Sequence, residues 1–160
     1  MVSQYHHNIE EGILAFGKRY EKFEKICGNN VPIHINHPTK RIVPILYYPD
    51  AHFVTKVGKL YIFEVLASEL RNENLIVADI LLSCLCPNVS NVVFIVPRIE
   101  DQDKVIDLVV TITDNLVGRG IHNKELPNIY VFYILKKEAT NPESVTEVLV
   151  KGAREMGITR

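Results

Sequence analysis

Two neighbouring stretches decide the fold: Tyr48-Pro49-Asp50-Ala51-His52-Phe53-Val54-Thr55 and Leu60-Tyr61-Ile62-Phe63-Glu64-Val65-Leu66, joined by Lys56-Val57-Gly58-Lys59. The joint carries a glycine in a lysine-bounded tetrapeptide and reads as a hairpin turn between two extended runs. The second run reads as a strongly apolar strand with one acid inside it, Glu64. Side chains alternate faces along a strand, so Glu64 shares a face with Ile62 and Leu66, while Tyr61, Phe63 and Val65 point the other way. A carboxylate in so apolar a strand is costly unless it is paired, protonated or bound to a cation. Asp50 opens the first strand. If it lies across from Glu64, the two carboxylates repel, and a divalent cation relieves that repulsion. Mg2+ favours such a hard oxygen site.

Upstream, Ile9, Ile13, Phe16, Tyr20, Phe23 and Cys27 recur at steps of three and four and predict one helix over Asn8–Cys27. Asn8 is its expected N-cap, Glu10 and Glu11 favour its positive end, and Gly28-Asn29-Asn30 stops it. Lys18, Arg19, Lys22 and Lys25 then fall on its outer side. Val31–Asn36 and Ile42–Tyr48 read as extended, separated by the polar loop Pro38-Thr39-Lys40-Arg41. Pro49 cannot donate to a central ladder, so a bulge or an edge is expected there. Downstream, helices over Ser68–Cys84, Asp101–Val117 and Asn141–Met156 alternate with strands over Val92–Val96 and Ile129–Leu135. Pro142 suits the first position of the last helix. Such alternation implies parallel strands with covering helices, and so an α/β architecture around a mixed sheet.

The length, 160 residues, suits a single domain over 1–160 with a real core, since 47% of residues are hydrophobic and 23% charged. Lys plus Arg is 18 and Asp plus Glu is 19, giving a net charge of −1. That balance excludes a strongly basic polymer-coating protein and an acidic disordered tail, but not a local basic patch. Cys27, Cys84 and Cys86 are too few for a disulfide scaffold, and Cys84 and Cys86 read as small core hydrophobes. Met1–Glu11 has neither a basic nor an apolar signal region, and the uncharged stretch Ile80–Pro97 is interrupted by Pro87, Asn88, Ser90 and Asn91. The expectation is a cytoplasmic protein with no membrane partner.

A Pro-Asp pair, a short hairpin and an apolar strand carrying Glu resemble the PD-(D/E)xK nuclease superfamily, and most closely its archaeal Holliday-junction-resolvase type. Pro49-Asp50 matches the first motif and Glu64 the acid of the second, and the resemblance spans roughly residues 8 to 97. It implies a restriction-endonuclease-like mixed sheet flanked by helices, an α-β-β-β-α-β core here followed by a C-terminal α-β-α. It implies metal-dependent hydrolysis of DNA phosphodiester bonds, with Asp50 and Glu64 holding Mg2+ (or Mn2+). Glu10, or else Glu11, matches the first-helix glutamate and would join Asp50 and Glu64 as a catalytic residue. DNA is the implied partner, and a homodimer the implied assembly. The sequence departs from the pattern where the family's lysine should stand, two positions after the glutamate: that residue is Leu66. Lys59, Lys56 and Arg71 are the substitute cations nearest in sequence.

Plainer readings stand beside these. Asp50 can be a turn aspartate, Glu64 a strand-end acid paired with Lys59, and Glu10 and Glu11 first-turn helix charge. His52 reads as a half-buried structural histidine, His6-His7 as a terminal segment, Asp79 as an exposed helix-edge acid and Arg98 as a surface arginine. Gly118-Arg119-Gly120 lacks phosphate-loop spacing, and no Ser-His-Asp or Gly-x-Ser-x-Gly element occurs. Three functions follow: an active nuclease with a relocated cation, a catalytically inactive relative that binds nucleic acid or a protein partner, and an α/β domain binding a small molecule at its strand ends.

Overall fold

The computed structural model describes residues 3–66, 72–119 and 126–159. Helix α1 (Gln4–Gly17) is followed by β1 (Phe23–Gly28). Next come β2 (Ile33–Ile35) and β3 (Ile45–Tyr47), then β4 (Ala51–Thr55) and β5 (Leu60–Val65). The second half alternates α2 (Glu73–Leu85), β6 (Val89–Val96), α3 (Ile99–Gly118), β7 (Asn128–Tyr133) and α4 (Pro142–Lys151). A short 3-10 turn, Ala153–Met156, comes last.

Five strands form one sheet in the order β1-β4-β5-β6-β7, and β2 and β3 form a separate two-stranded sheet. The β1-β4 and β4-β5 pairs are antiparallel, whereas β5-β6 and β6-β7 are parallel. The architecture is therefore mixed α/β with a helix-flanked mixed sheet, as the alternation of elements implied. The turn at Lys56–Lys59 is a hairpin, with Gly58 at φ +77, a left-handed conformation that favours glycine. Pro49 marks neither a bulge nor an edge. It lies in the link where the chain passes from β3 in one sheet to β4 in the other.

The strand alternation sorts the core into two halves. Phe53, Phe63, Val65, Val93 and Ile95 pack with Ile9, Ile13 and Phe16 of α1 and Val145 and Leu149 of α4. Ile62, Leu66, Val92, Phe94 and Val96 pack with Ile76 and Ile80 of α2, Val105 of α3 and Ile33, Ile35 and Tyr47 of the small sheet. Each fully buried Leu, Ile or Phe contributes about 1.5–3 kcal/mol, so a two-sided sheet of this kind holds its register firmly.

The first predicted helix is too long. It ends at Gly17, and Phe23–Gly28 is strand β1. The apolar stripe continues in space without the helix: Tyr20 packs on Phe16 with ring centroids 4.9 Å apart, and Phe23 packs on Phe53 at the same separation. A register shift between Phe23 and Lys25 breaks the two-residue alternation that would have marked β1 as a strand. Lys18 accordingly becomes the C-cap residue, and Arg19, Lys22 and Lys25 leave the helix for the following turn and strand. Asn8 is not the N-cap either. Ser3 caps α1, its Oγ accepting from the His6 N–H at 3.2 Å, while buried Asn8 donates from Nδ2 to the Ala139 carbonyl at 3.0 Å. The last helix behaves as expected: Asn141 Oδ1 accepts from the Ser144 N–H at 2.8 Å, and Pro142 opens the helix. The predicted start of the second helix at Ser68, and Arg71, lie outside the described residues. Among the described residues no helix is long and apolar enough to cross a membrane.

Candidate metal centre

Asp50 sits immediately before β4. Because Ala51 pairs with Phe63, Asp50 comes opposite Glu64 across the hairpin. Its carboxylate is anchored to the sheet end: Oδ2 accepts the Val65 N–H at 2.6 Å. The other oxygen, Oδ1, lies 3.3 Å from His6 Nε2. The same His6 nitrogen lies 3.3 Å from Glu10 Oε1. His6 and Glu10 are four residues apart on α1, so one helix face presents both to the sheet end. Glu10 is steadied in turn by Asn29, whose Nδ2 donates to Oε1 at 2.9 Å. His6, Glu10 and Asp50 bring one imidazole nitrogen and two carboxylate oxygens within 4.8 Å of one another. Their side chains are largely shielded, with exposures of 9%, 12% and 19%.

Burial pushes the Glu10 carboxyl above its usual range; the His6 ring opposes that shift and the Asp50 carboxylate reinforces it. Two acids and a histidine in so small a volume form a set that a divalent cation would neutralise and that matches mixed nitrogen and oxygen ligation.

Glu64 faces the other half of the core. It is buried, and its Oε1 accepts from the Tyr47 hydroxyl. The Tyr47 oxygen lies 3.1 Å from Ser83 Oγ, which donates to the Asp79 carbonyl. Burial holds the Glu64 carboxyl well above its ordinary range, and the Asp50 and Asp79 carboxylates push it further up. Tyr47 is raised likewise, by burial first and by Glu64 next. Glu64 thus stands at the back of Asp50 with its carboxyl biased toward the neutral form by burial and by its acidic neighbours. Asp50 stands between two polar groups: His6 and Glu10 from α1, and Glu64 with Tyr47 and Ser83.

Of the residues expected at the site, Glu10 and Asp50 come together, and Glu64 lies close enough to feel the Asp50 charge while bonding to Tyr47. Lys59 is not the partner of Glu64. Lys56 and Lys59 sit at the hairpin turn, about 16 Å from Glu64 at the strand rise of roughly 3.3 Å per residue. Leu66 is fully buried in the α2-side core. Asp79 is half-buried rather than on an exposed edge. His52 is buried on the Ile62 face, where burial lowers its pKa and its Nδ1 has no hydrogen-bond partner among the described residues. His6, read as terminal, belongs to the cluster instead. Its signal is present in the spacing: it stands three before Ile9 and four before Glu10, one turn further along the buried stripe. Tyr47 was missed because a strand tyrosine gives no hint of which acid it will meet.

Compared with known proteins, the chain matches no family model, no curated protein and no solved structure.

Proposed function

We propose that the protein is a divalent-metal-dependent phosphodiester hydrolase of the restriction-endonuclease-like fold that acts on DNA, with His6, Glu10 and Asp50 holding the ion. The observation that carries this reading is the convergence of those three side chains, from two separate elements, at ligand spacing. The topology supports it too. Omitting the β2-β3 pair, the chain runs α1, then antiparallel β1-β4-β5, then α2 and a parallel β6, which is the α-β-β-β-α-β order the Pro49-Asp50 and Glu64 motifs lead one to expect.

A donor set that includes imidazole suits Mn2+ better than Mg2+, which prefers an all-oxygen octahedron. A divalent ion held there supplies Lewis acidity toward a phosphoryl oxygen. The chain's own groups do the rest. The Val65 N–H and Asn29 fix the orientation of the two carboxylates, which is how outer partners tune a metal site. Glu64 bonds to Tyr47 on the other side of Asp50, and its raised pKa opposes a further negative charge there.

A second reading rests on Leu66. With an apolar, fully buried residue at the position of the expected lysine, the chain can be a catalytically inactive module that retains the fold and binds nucleic acid. Nicking of supercoiled plasmid with Mn2+ separates the two. The hydrolase reading predicts nicking that Asp50→Asn and Glu10→Gln abolish and Lys59→Ala leaves intact. Duplex retardation by the parent without any Mn2+-dependent nicking selects the inactive module.

A further inference from the structure

We propose a second, separate binding site: a cationic groove between the end of α1 and the end of α4 that takes phosphate groups. The segment after α1 contributes Arg19, Tyr20 and Lys22, and the end of α4 with its 3-10 turn contributes Val150, Lys151 and Arg154. Two adjoining hollows, about 520 and 290 Å3, share Tyr20 and Val150 as a common wall. The groove lies at the end of the sheet away from the acids, since the Lys22 carbonyl accepts from the Lys56 N–H at the hairpin turn.

Four cations gather here from two distant parts of the sequence. Arg19 is answered by Glu147 at 2.8 Å. Lys22, Lys151 and Arg154 make no ion pair among the described residues, and Glu21 is the only acid lining the two hollows. Lys22 is not a loose surface lysine. Its ammonium sits 5.2 Å from the ring centroids of both Phe23 and Tyr61, which fixes its position. Uncompensated cations beside a half-buried tyrosine match a phosphate next to a planar or sugar-like body. A chain with a net charge of −1 gathers this cluster against its own average, and such a local field attracts anions. A nucleic-acid backbone and a free phosphorylated compound present the same phosphate chemistry to Lys22, Lys151 and Arg154.

The test titrates inorganic pyrophosphate, and separately a short DNA duplex, into the full chain at low salt without divalent metal. Lys151 at the end of α4 and Arg154 in the following 3-10 turn are both exposed, so K151Q/R154Q should fold and melt like the parent. We expect the parent to bind and the double variant to bind at least about tenfold more weakly for each lost contact. For the duplex, the salt dependence should flatten by about 0.9 per contact removed. Asp50→Asn should bind as the parent does, which separates this groove from the metal centre. Pyrophosphate and duplex both affected by K151Q/R154Q points to a backbone; pyrophosphate alone points to a free phosphorylated compound. Failure of the parent to bind either probe, or equal binding by a well-folded K151Q/R154Q, overturns the proposal.

Discussion

Glu64 and Tyr47 set the character of the site at the residue scale. Both are buried, and each is the other's hydrogen-bond partner. Tyr47→Phe leaves a buried carboxyl without its donor, and a loss of about 1–3 kcal/mol is expected in denaturant unfolding. Glu64→Gln behaves differently. The folded pKa of Glu64 is raised above its unfolded value of 4.5. The stability it contributes is complete below that pH and is lost as the pH rises through the folded pKa. Glutamine is always neutral and still accepts from Tyr47. In EDTA, Glu64→Gln should therefore melt with the parent in acid and above it in neutral and alkaline buffer. Each kcal/mol relieved moves the midpoint by about 2–4 °C for a chain of this size. A constant offset at all pH values would contradict a raised Glu64 pKa in the folded chain. The two acids were legible in the sequence because an apolar strand makes a lone Glu conspicuous. The Tyr47 bond was not, because it joins two sheets whose relative placement no local pattern records.

Helix α1 is the element on which the metal centre depends, since it carries His6 and Glu10. It is held by α4 at a close crossing: a Cβ on Gly12 would run into the Val145 side chain and come within 3.1 Å of the Pro142 carbonyl. Gly12→Ala should cost about 1–3 kcal/mol by overpacking. Because it tilts α1 against the sheet end, it should also weaken Mn2+ binding, although Gly12 bears no ligand. Unchanged affinity in a destabilised Gly12→Ala would mean that α1 does not position the ligands. The helices and strands of the second half were readable because long apolar runs alternate with amphipathic ones. The end of α1 was not: an aromatic cluster of Phe16, Tyr20, Phe23 and Phe53 keeps the helical spacing going where the backbone has already turned into a strand.

On the scale of the whole molecule, the two core halves bracket a sheet whose one end gathers acids and whose other end, beside α4, gathers cations. The acidic end was visible as motif residues in sequence. The cationic end was not, because Lys22 and Lys151 are brought together only by the packing of α1 on α4. Acids crowded at the end of a sheet destabilise the fold until something neutralises them, so Mn2+ should act as a folding ligand. At about a hundred times its dissociation constant it should add about 2.7 kcal/mol, a rise of roughly 5–10 °C in melting temperature. Asp50→Asn should show no such rise.

Calorimetric titration of Mn2+ into the parent, His6→Ala and Asp50→Asn tests the central claim most directly. The account predicts saturable binding of a single ion per chain by the parent and its loss in both variants, with the fold retained by circular dichroism. Binding that survives in His6→Ala and Asp50→Asn alike, or no binding by the parent, would contradict it.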